Sequence, residues 1–165
     1  MATTDDFHTF VAARLDRWRR SAYLMCDDWH LADDLVGDAV MRVCQHWSRV
    51  RRSDNPDAYA QKILARCWLT ERRRAWWRRE RTTGTVPETG PVTAHRQDER
   101  VIDRLPLAQL LETLGPRQRA AVILRYYLDY SVEETAGILG VTPSTVRGQC
   151  TRALEQLRNT SPTST

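Results

Sequence analysis

Two short helical segments hinged on a glycine, over residues 131–157, constrain this chain more than any other feature. Ser131 and Glu134 stand at the S-x-x-E spacing of a capping box, which opens a helix by satisfying two of its unpaired N–H groups. Ala136 is small, as a residue must be where two helices cross closely. Gly140 supplies a sharp turn. Thr142 is a good N-cap, and Pro143 falls at the first helical position, where its missing N–H is no loss. Beyond it Val146, Cys150, Leu154 and Leu157 recur at helical spacing and predict one buried stripe. The opposite face carries Ser144, Thr145, Arg147, Gly148, Thr151 and Arg152, small and basic groups suited to a DNA major groove. A plain helical hairpin inside a core would show the same pattern, so the rest of the chain has to decide between the two.

The 165 residues leave room for one ordinary domain or two small ones. Charged residues are 28% and hydrophobic ones 41%, the balance of a folded soluble chain rather than a disordered one. Net charge is +4, and of the 25 basic side chains only Lys62 is lysine. Arginine binds phosphate bidentately and stacks on bases, which suits nucleic acid; GC-rich codon usage would produce the same preference. The N-terminus is acidic and has no apolar stretch, so no signal peptide is expected. No apolar run approaches transmembrane length. These absences predict a cytoplasmic protein with no membrane partner. Cys26, Cys44, Cys67 and Cys150 are widely spaced and form no C-x-x-C pair. They read as reduced core thiols rather than a disulfide frame or zinc site.

Taken in order, the chain predicts helices throughout. Phe7, Phe10, Val11, Leu15, Trp18, Ala22 and Met25 keep the spacing of one amphipathic helix that starts near Thr4 or Asp5. A turn follows at residues 26–29. Leu31, Leu35, Ala39, Val43 and Trp47 mark a second helix, with Asp33, Asp34 and Asp38 toward its N-terminal half, where the helix dipole favours acid. Residues 50–57 read as a polar loop ending in Asn55 as N-cap and Pro56 in the first turn. The next helix turns Tyr59, Ile63 and Cys67 inward and continues, bent or broken near Thr70, to Arg81. Composition changes at Thr82, where Gly84, Pro87, Gly90 and Pro91 predict a flexible linker. Val101, Leu105, Leu107, Leu110, Leu111 and Leu114 open a second helical unit. Gly115 and Pro116 start another helix, with Ala120, Val122, Ile123, Leu124 and Tyr127 as its apolar surface. The expected fold is all-α: two small helical domains, residues 1–81 and 99–158, joined by a linker over 82–98 and followed by a disordered tail over 159–165.

Two clusters could carry chemistry. The carboxylates from Asp27 to Asp38 include i, i+4 pairs that share a helix face and could bind Mg²⁺ as a metal-dependent enzyme would. No second carboxylate cluster or glycine-rich phosphate loop accompanies them, so a solvated acidic face, or a docking surface for a basic partner, is the better reading. His8, His30, His46 and His95 are scattered without ligand spacing. The second cluster is more informative. Trp68, Trp76 and Trp77 stand among Arg66, Arg72, Arg73, Arg74, Arg78 and Arg79. Arginine neutralises phosphate, and aromatic faces stack on unpaired bases at about 1–3 kcal/mol each. That mixture suits single-stranded or melting DNA better than an intact duplex.

Two all-α modules, each with a DNA-suited helix and joined by a linker, resemble a bacterial sigma factor of the extracytoplasmic-function type, in the sigma-70 family. The likeness covers nearly the whole chain. Residues 114–127 look like the entry to the family's region 4, and Ser131 to Arg158 like region 4.2, with Glu134, Ala136, Leu139, Gly140, Thr145, Val146, Arg147, Arg152, Ala153 and Leu154 in place. Residues 32–36 look like region 2.2. Asn55, Pro56 and Tyr59, with the arginine-rich helix, look like regions 2.3 and 2.4. Length and the Arg/Trp content are most similar to the actinobacterial SigE-type subgroup. The chain departs from the family at Gly37, where Gln is common, at Arg66, where Asn is usual, and at Gly148, Gln149 and Cys150.

The resemblance implies a non-enzymatic specificity subunit that binds core RNA polymerase, recognises a promoter and helps to melt it, with no cofactor of its own. Asp33, Asp34, Leu35 and Asp38 would dock on the β′ clamp helices, and the helix from Pro116 would contact the β flap. Asn55, Arg66, Trp68, Arg72, Arg73, Arg74, Trp76 and Trp77 would serve the −10 element and its melting. Ser144, Arg147, Gly148, Thr151 and Arg152 would face the −35 element. An anti-sigma factor is a further partner that the family allows. A free-standing helix-turn-helix regulator is the alternative, and it leaves both the Arg/Trp helix and the acidic helix without a role.

Overall fold

The computed structural model describes residues 2–82 and 106–160. Over the first of these stretches the helices are α1 (Ala2–Ala12), α2 (Leu15–Cys26), α3 (Trp29–Gln45), α4 (Trp47–Arg52) and α5 (Pro56–Thr82). Over the second they are α6 (Pro106–Leu111), α7 (Pro116–Val122), α8 (Val132–Leu139) and α9 (Pro143–Thr160), with a π-helical turn at Ile123–Tyr127. Among the described residues there is no strand, and no helix long and apolar enough to cross a membrane.

The single helix expected from Phe7 to Met25 is two, broken at Ala13 and Arg14. Arg14 holds the break. It donates to the Phe10 carbonyl at 3.0 Å, lies 3.9 Å over the Phe10 ring and pairs with Asp57 at the start of α5. Apolar spacing runs on across the break, so periodicity does not reveal it. Phe10 still reaches the core, against Trp18 and Trp47 at ring-centroid distances of 6.0 and 5.1 Å.

The turn after α2 uses two aspartates in different ways. Asp27 ends α2 in the left-handed region at φ 56°, with its N–H on the Tyr23 carbonyl. Asp28 begins α3, its Oδ1 accepting from the N–H groups of His30 and Leu31 at 2.9 and 3.2 Å. That is an N-cap on a helix with four orphan donors.

Part of the loop expected over residues 50–57 is helix α4, and Val50 is fully buried in it. Asn55 does cap α5: its Oδ1 accepts from the Ala58 N–H at 3.0 Å, with Pro56 as the first helical residue. α5 then runs unbroken through Thr70 to Thr82, 27 residues or about 40 Å. Its core stripe is Ala60, Leu64, Ala65 and Trp68, while Tyr59, Ile63 and Cys67 flank it half-buried. The true stripe thus lies one residue on from the expected one. Small Ala60 and Ala65 let α5 approach its neighbours closely, and a hydrophobicity pattern underweights alanine.

In the second unit Ala108, Leu111 and Leu114 are buried, while Leu107 and Leu110 are exposed. Val101 and Leu105, and the linker expected over 82–98 apart from Thr82, lie outside the described residues; Thr82 is the last residue of α5. Gly115 and Pro116 begin α7 as expected. The π-helical turn after α7 sets the Leu128 N–H on the Ile123 carbonyl five residues back, at 3.0 Å. The extra residue rotates the chain beyond it, so Tyr127 lies at the surface and Tyr130 is buried. α9 continues to Thr160, into the segment expected as tail; residues 161–165 lie outside the described residues.

The two units share one core. It runs from Phe10 and Trp18 through Leu24 and Leu64 to Leu111, Ile123, Leu124 and Leu128. α2 packs against α6 and α7, and α5 against α8. Each fully buried leucine in such a core is worth about 1.5–3 kcal/mol. Polar contacts cross the same seam: Arg119 Nε donates to the Leu24 carbonyl at 2.6 Å, Arg17 Nη2 to the Leu128 carbonyl at 3.2 Å, and Asn55 Nδ2 to Glu134 Oε1 at 3.5 Å.

Candidate nucleic-acid interface

The hairpin has the caps that its sequence demands. The Ser131 Oγ accepts from the Glu134 N–H at 3.0 Å, and a Glu134 carboxylate oxygen accepts from the Ser131 N–H at 2.8 Å. Gly140 ends α8 at φ 67°, in the left-handed region that favours glycine. The Thr142 Oγ1 accepts from the Thr145 N–H at 3.2 Å, and Pro143 opens α9. Ala136 is buried where the helices meet, in a small cluster with Ala121, Val146 and Cys150. The inward stripe of α9 is Val146, Gln149, Cys150 and Ala153; Leu154 and Leu157, expected inside, are half-buried.

The outward face is as the spacing predicts. Ser144, Thr145, Arg147, Thr151 and Arg152 are exposed, and Gly148 lies half-buried between them. A Cβ on Gly148 would touch only the Arg152 guanidinium, at 3.7 Å, so glycine leaves this face open rather than relieving a clash. Thr151 Oγ1 donates to the Arg147 carbonyl at 2.9 Å, which orients the hydroxyl along the helix. Arg147 lies 3.7 Å from Glu133, a weak solvent-exposed pair.

The Arg/Trp helix divides in two. Trp68 is only 2% exposed and belongs to the core, so its expected role of stacking on DNA bases is corrected. It stands on the i, i+4, i+8 row of Ala60 and Leu64, the buried row of α5. Trp76 and Trp77 are 53% and 52% exposed and meet edge-on at 5.0 Å. They project near the end of α5 among exposed Arg72, Arg73, Arg74, Arg78 and Arg79. Lost hydration, and then Arg79, pull the Arg72 guanidinium below its ordinary value. Arg66 is exposed nearly two turns before Arg72 on the same helix.

The acidic helix divides likewise. Leu35 is buried, and its expected role as a docking contact is corrected: it is core. Asp33 takes Arg19 in a two-point pair, 2.6 and 3.3 Å, and that bond, ahead of the surrounding charge, holds the Arg19 guanidinium above its usual value. Asp34 and Asp38 remain exposed, and Met41, 63% exposed, continues their face at helical spacing. Sequence reasoning passed over Met41. The available signal was an apolar residue standing off the buried period of α3. Asp27 and Asp28 act as helix caps, and among the described residues no three His, Cys, Asp or Glu side chains are grouped to hold a metal.

The cysteines are not all core. Cys44 is exposed, Cys26 and Cys67 half-buried, and Cys150 buried. Burial, above all, pushes the Cys26 thiol up to about 12, and it donates to the Asp28 carbonyl at 3.2 Å. Burial also raises Cys67 and Cys150. A raised value means less thiolate at neutral pH, and thiolate is the nucleophile. Timed alkylation with iodoacetamide at pH 7.5, read by peptide mass mapping, should label Cys44 first and Cys26 last; early labelling of Cys26 would contradict its packing.

A helix-turn-helix with an exposed basic face, and a second basic helix ending in exposed tryptophans, are thus carried on the same core. Residues 10–78 match the family model for sigma-70 region 2, and residues 104–157 that for sigma-70 region 4. The chain is 33% identical over 157 residues to the RNA polymerase sigma-E factor of Streptomyces coelicolor, across 93% of this chain and 84% of that one. It is 28% identical over 144 residues to the ECF RNA polymerase sigma factor SigL of Mycobacterium tuberculosis, across 86% and 80%. Its fold is similar to that of the sigma factor RpoE of Bartonella quintana, solved with the anti-sigma factor NepR: TM-score 0.74, 23% identity, 93% and 95% coverage. The chain belongs to the sigma-70 family and is a sigma factor of the extracytoplasmic-function type. It binds core RNA polymerase and promoter DNA, and sigma factors are initiation factors rather than enzymes.

Proposed function

We propose that the exposed face of α9 reads the −35 element, with Arg147 on a base edge, Ser144 and Thr151 beside it and Arg152 on phosphate. The observation that carries this reading is that face itself: exposed basic and hydroxyl groups on a helix whose other side is locked by Val146 and Ala153. At the other end of the promoter, Asn55 and the exposed arginines of α5 hold the −10 strand, and Trp76 and Trp77 stack on its unpaired bases. Trp68 and Leu35 support these surfaces from within. Asp34, Asp38 and Met41 form the face offered to the β′ clamp helices, an apolar side chain flanked by acid, and the helix from Pro116 faces the β flap. The polymerase supplies the chemistry, so the reading needs no cofactor. It places the protein in the cytoplasm with its polymerase.

Reconstitution tests this directly. The protein should co-elute with core polymerase and permit specific run-off transcription. Asp34→Ala with Asp38→Ala should weaken core binding by roughly 1–2 kcal/mol, about five- to thirty-fold, with a steeper loss in salt. Unchanged core affinity in that double variant would remove the acidic face from the docking site.

A further inference from the structure

We propose that Arg14 is a positioning residue for reading the −10 element: from the break between α1 and α2 it ties α4 to the first turn of α5, and so fixes where Asn55 stands. This inference rests on the assignment of Asn55 to that element.

Two observations carry it. The first is how closely Asn55 is bound to its own helix. Its Oδ1 caps α5 by accepting from the Ala58 N–H at 3.0 Å, and its carbonyl accepts from the Tyr59 N–H at 3.1 Å. The side chain is therefore fixed to the first turn, and only its two amide N–H groups are left to face DNA. The 3.5 Å contact with Glu134 engages one of them. Where those donors stand is decided by where α5 begins. On the other side of the turn, Ser53 is bonded back to α4: its N–H and Oγ both donate to the Val50 carbonyl, at 3.2 and 2.6 Å. Only Asp54 separates the two anchored residues. The relative placement of α4 and α5 thus sets the position of Asn55.

The second is that Arg14 holds both sides of that turn. Its Nε donates to the Asp57 carboxylate, in the first turn of α5. Its Nη1 donates to the Phe10 carbonyl at 3.0 Å, one of those that a last helical turn leaves open. The guanidinium also lies 3.9 Å over the Phe10 ring, and that ring packs 5.1 Å from Trp47, the first residue of α4. One side chain thus bridges α4 and α5 across residues 53–55. Arginine suits the task because its planar fork offers several donors in fixed directions, where a lysine ammonium is a single point of charge. Partly exposed ion pairs add little stability, so the tie acts on geometry more than on folding. Geometry is what a base contact needs: a donor displaced by about 1 Å leaves hydrogen-bond range.

The test uses holoenzyme made with the full chain: wild type, Asn55→Ala, Arg14→Ala, Asp57→Ala, and Arg14→Ala combined with Asp57→Ala, each checked for helix content by circular dichroism. Two pools of a promoter that the wild-type holoenzyme binds are used, one randomised over the −10 element and one over the −35 element, and the bound DNA is sequenced. Base preference is a ratio, so a changed charge near the phosphates, which affects all sequences alike, cancels. Asn55→Ala should lower the preference at one −10 position by about tenfold or more. Arg14→Ala and Asp57→Ala should each flatten that same position by about three- to fivefold. The double variant should be no flatter than either single one, because both remove the same tie. Preferences in the −35 pool should stay unchanged. Full preference at that position in folded Arg14→Ala overturns the proposal. So does an additive double variant, and so does equal flattening in the −35 pool, which marks a merely structural role. If Arg14→Ala does not fold, Asp57→Ala decides alone. An Asn55→Ala holoenzyme with every preference intact overturns the −10 assignment and the inference with it, whereas an Asn55 effect without an Arg14 effect sinks the tie alone.

Discussion

Trp68→Ala is expected to destabilise the protein by about 3–5 kcal/mol, enough to unfold a domain of ordinary stability, whereas Trp76→Ala with Trp77→Ala should shift stability by no more than about 0.5 kcal/mol. The three tryptophans stand in one arginine-rich run, yet Trp68 is 2% exposed and the other two about half. Removing a buried indole leaves a cavity that rigid helices cannot close; removing exposed ones leaves only solvent. Urea unfolding followed by circular dichroism reads the difference. The functional effects should run the other way. The Trp76 and Trp77 double variant should bind core polymerase normally but lose stacking on unpaired bases, at about 1–3 kcal/mol per ring. Permanganate footprinting of unpaired thymines would then show far less open promoter. Normal melting by a folded double variant would move the stacking role elsewhere.

Arg147→Ala is the second large effect expected. A side chain that reads a base edge is worth about 1–3 kcal/mol of discrimination, so promoter selectivity at one −35 position should fall by about 5- to 150-fold. Arg152→Ala should instead weaken all sequences alike and flatten the salt dependence by about one unit. Both are exposed on the same face of α9, but Arg147 lies nearer the helix N-terminus, the end that enters the groove in this motif. Competition binding of holoenzyme to single-base −35 variants, at two salt concentrations, separates the roles. Equal loss of selectivity in both would undo the division between base and phosphate contact.

How far the sequence could be read depended on what kind of interaction shaped each element. Caps were legible because they are local: Ser131, Gly140, Thr142 and Asn55 each act on a backbone group within three to five residues, and each is seen doing so. The outward face of α9 was legible for a similar reason, since helical spacing alone sorts polar from apolar there. The break at Arg14 was not, because the partner that holds it, Asp57, is 43 residues away. Nor was the π-helical turn that brings Tyr127 to the surface, since its apolar residues fit the ordinary period. Among like residues in one helix, pattern cannot rank depth. Trp68 shares an arginine-rich run, and Leu35 an acidic one, with exposed residues, and only packing against other helices makes these two core.

The sequence by itself determined the class of protein: all-helical, with a helix-turn-helix near one end and a basic, tryptophan-bearing helix in the other half. Those features are carried by spacing and by composition, which need no knowledge of the third dimension. Only the tertiary structure decided that the two units share a core, with Arg119 on the Leu24 carbonyl and Glu134 against Asn55. The residues in those contacts lie 95 and 79 positions apart, and each alone looks like an ordinary polar side chain on a helix. Nothing local marks such a pair, because its energy comes from desolvation and geometry that exist only once both helices are in place.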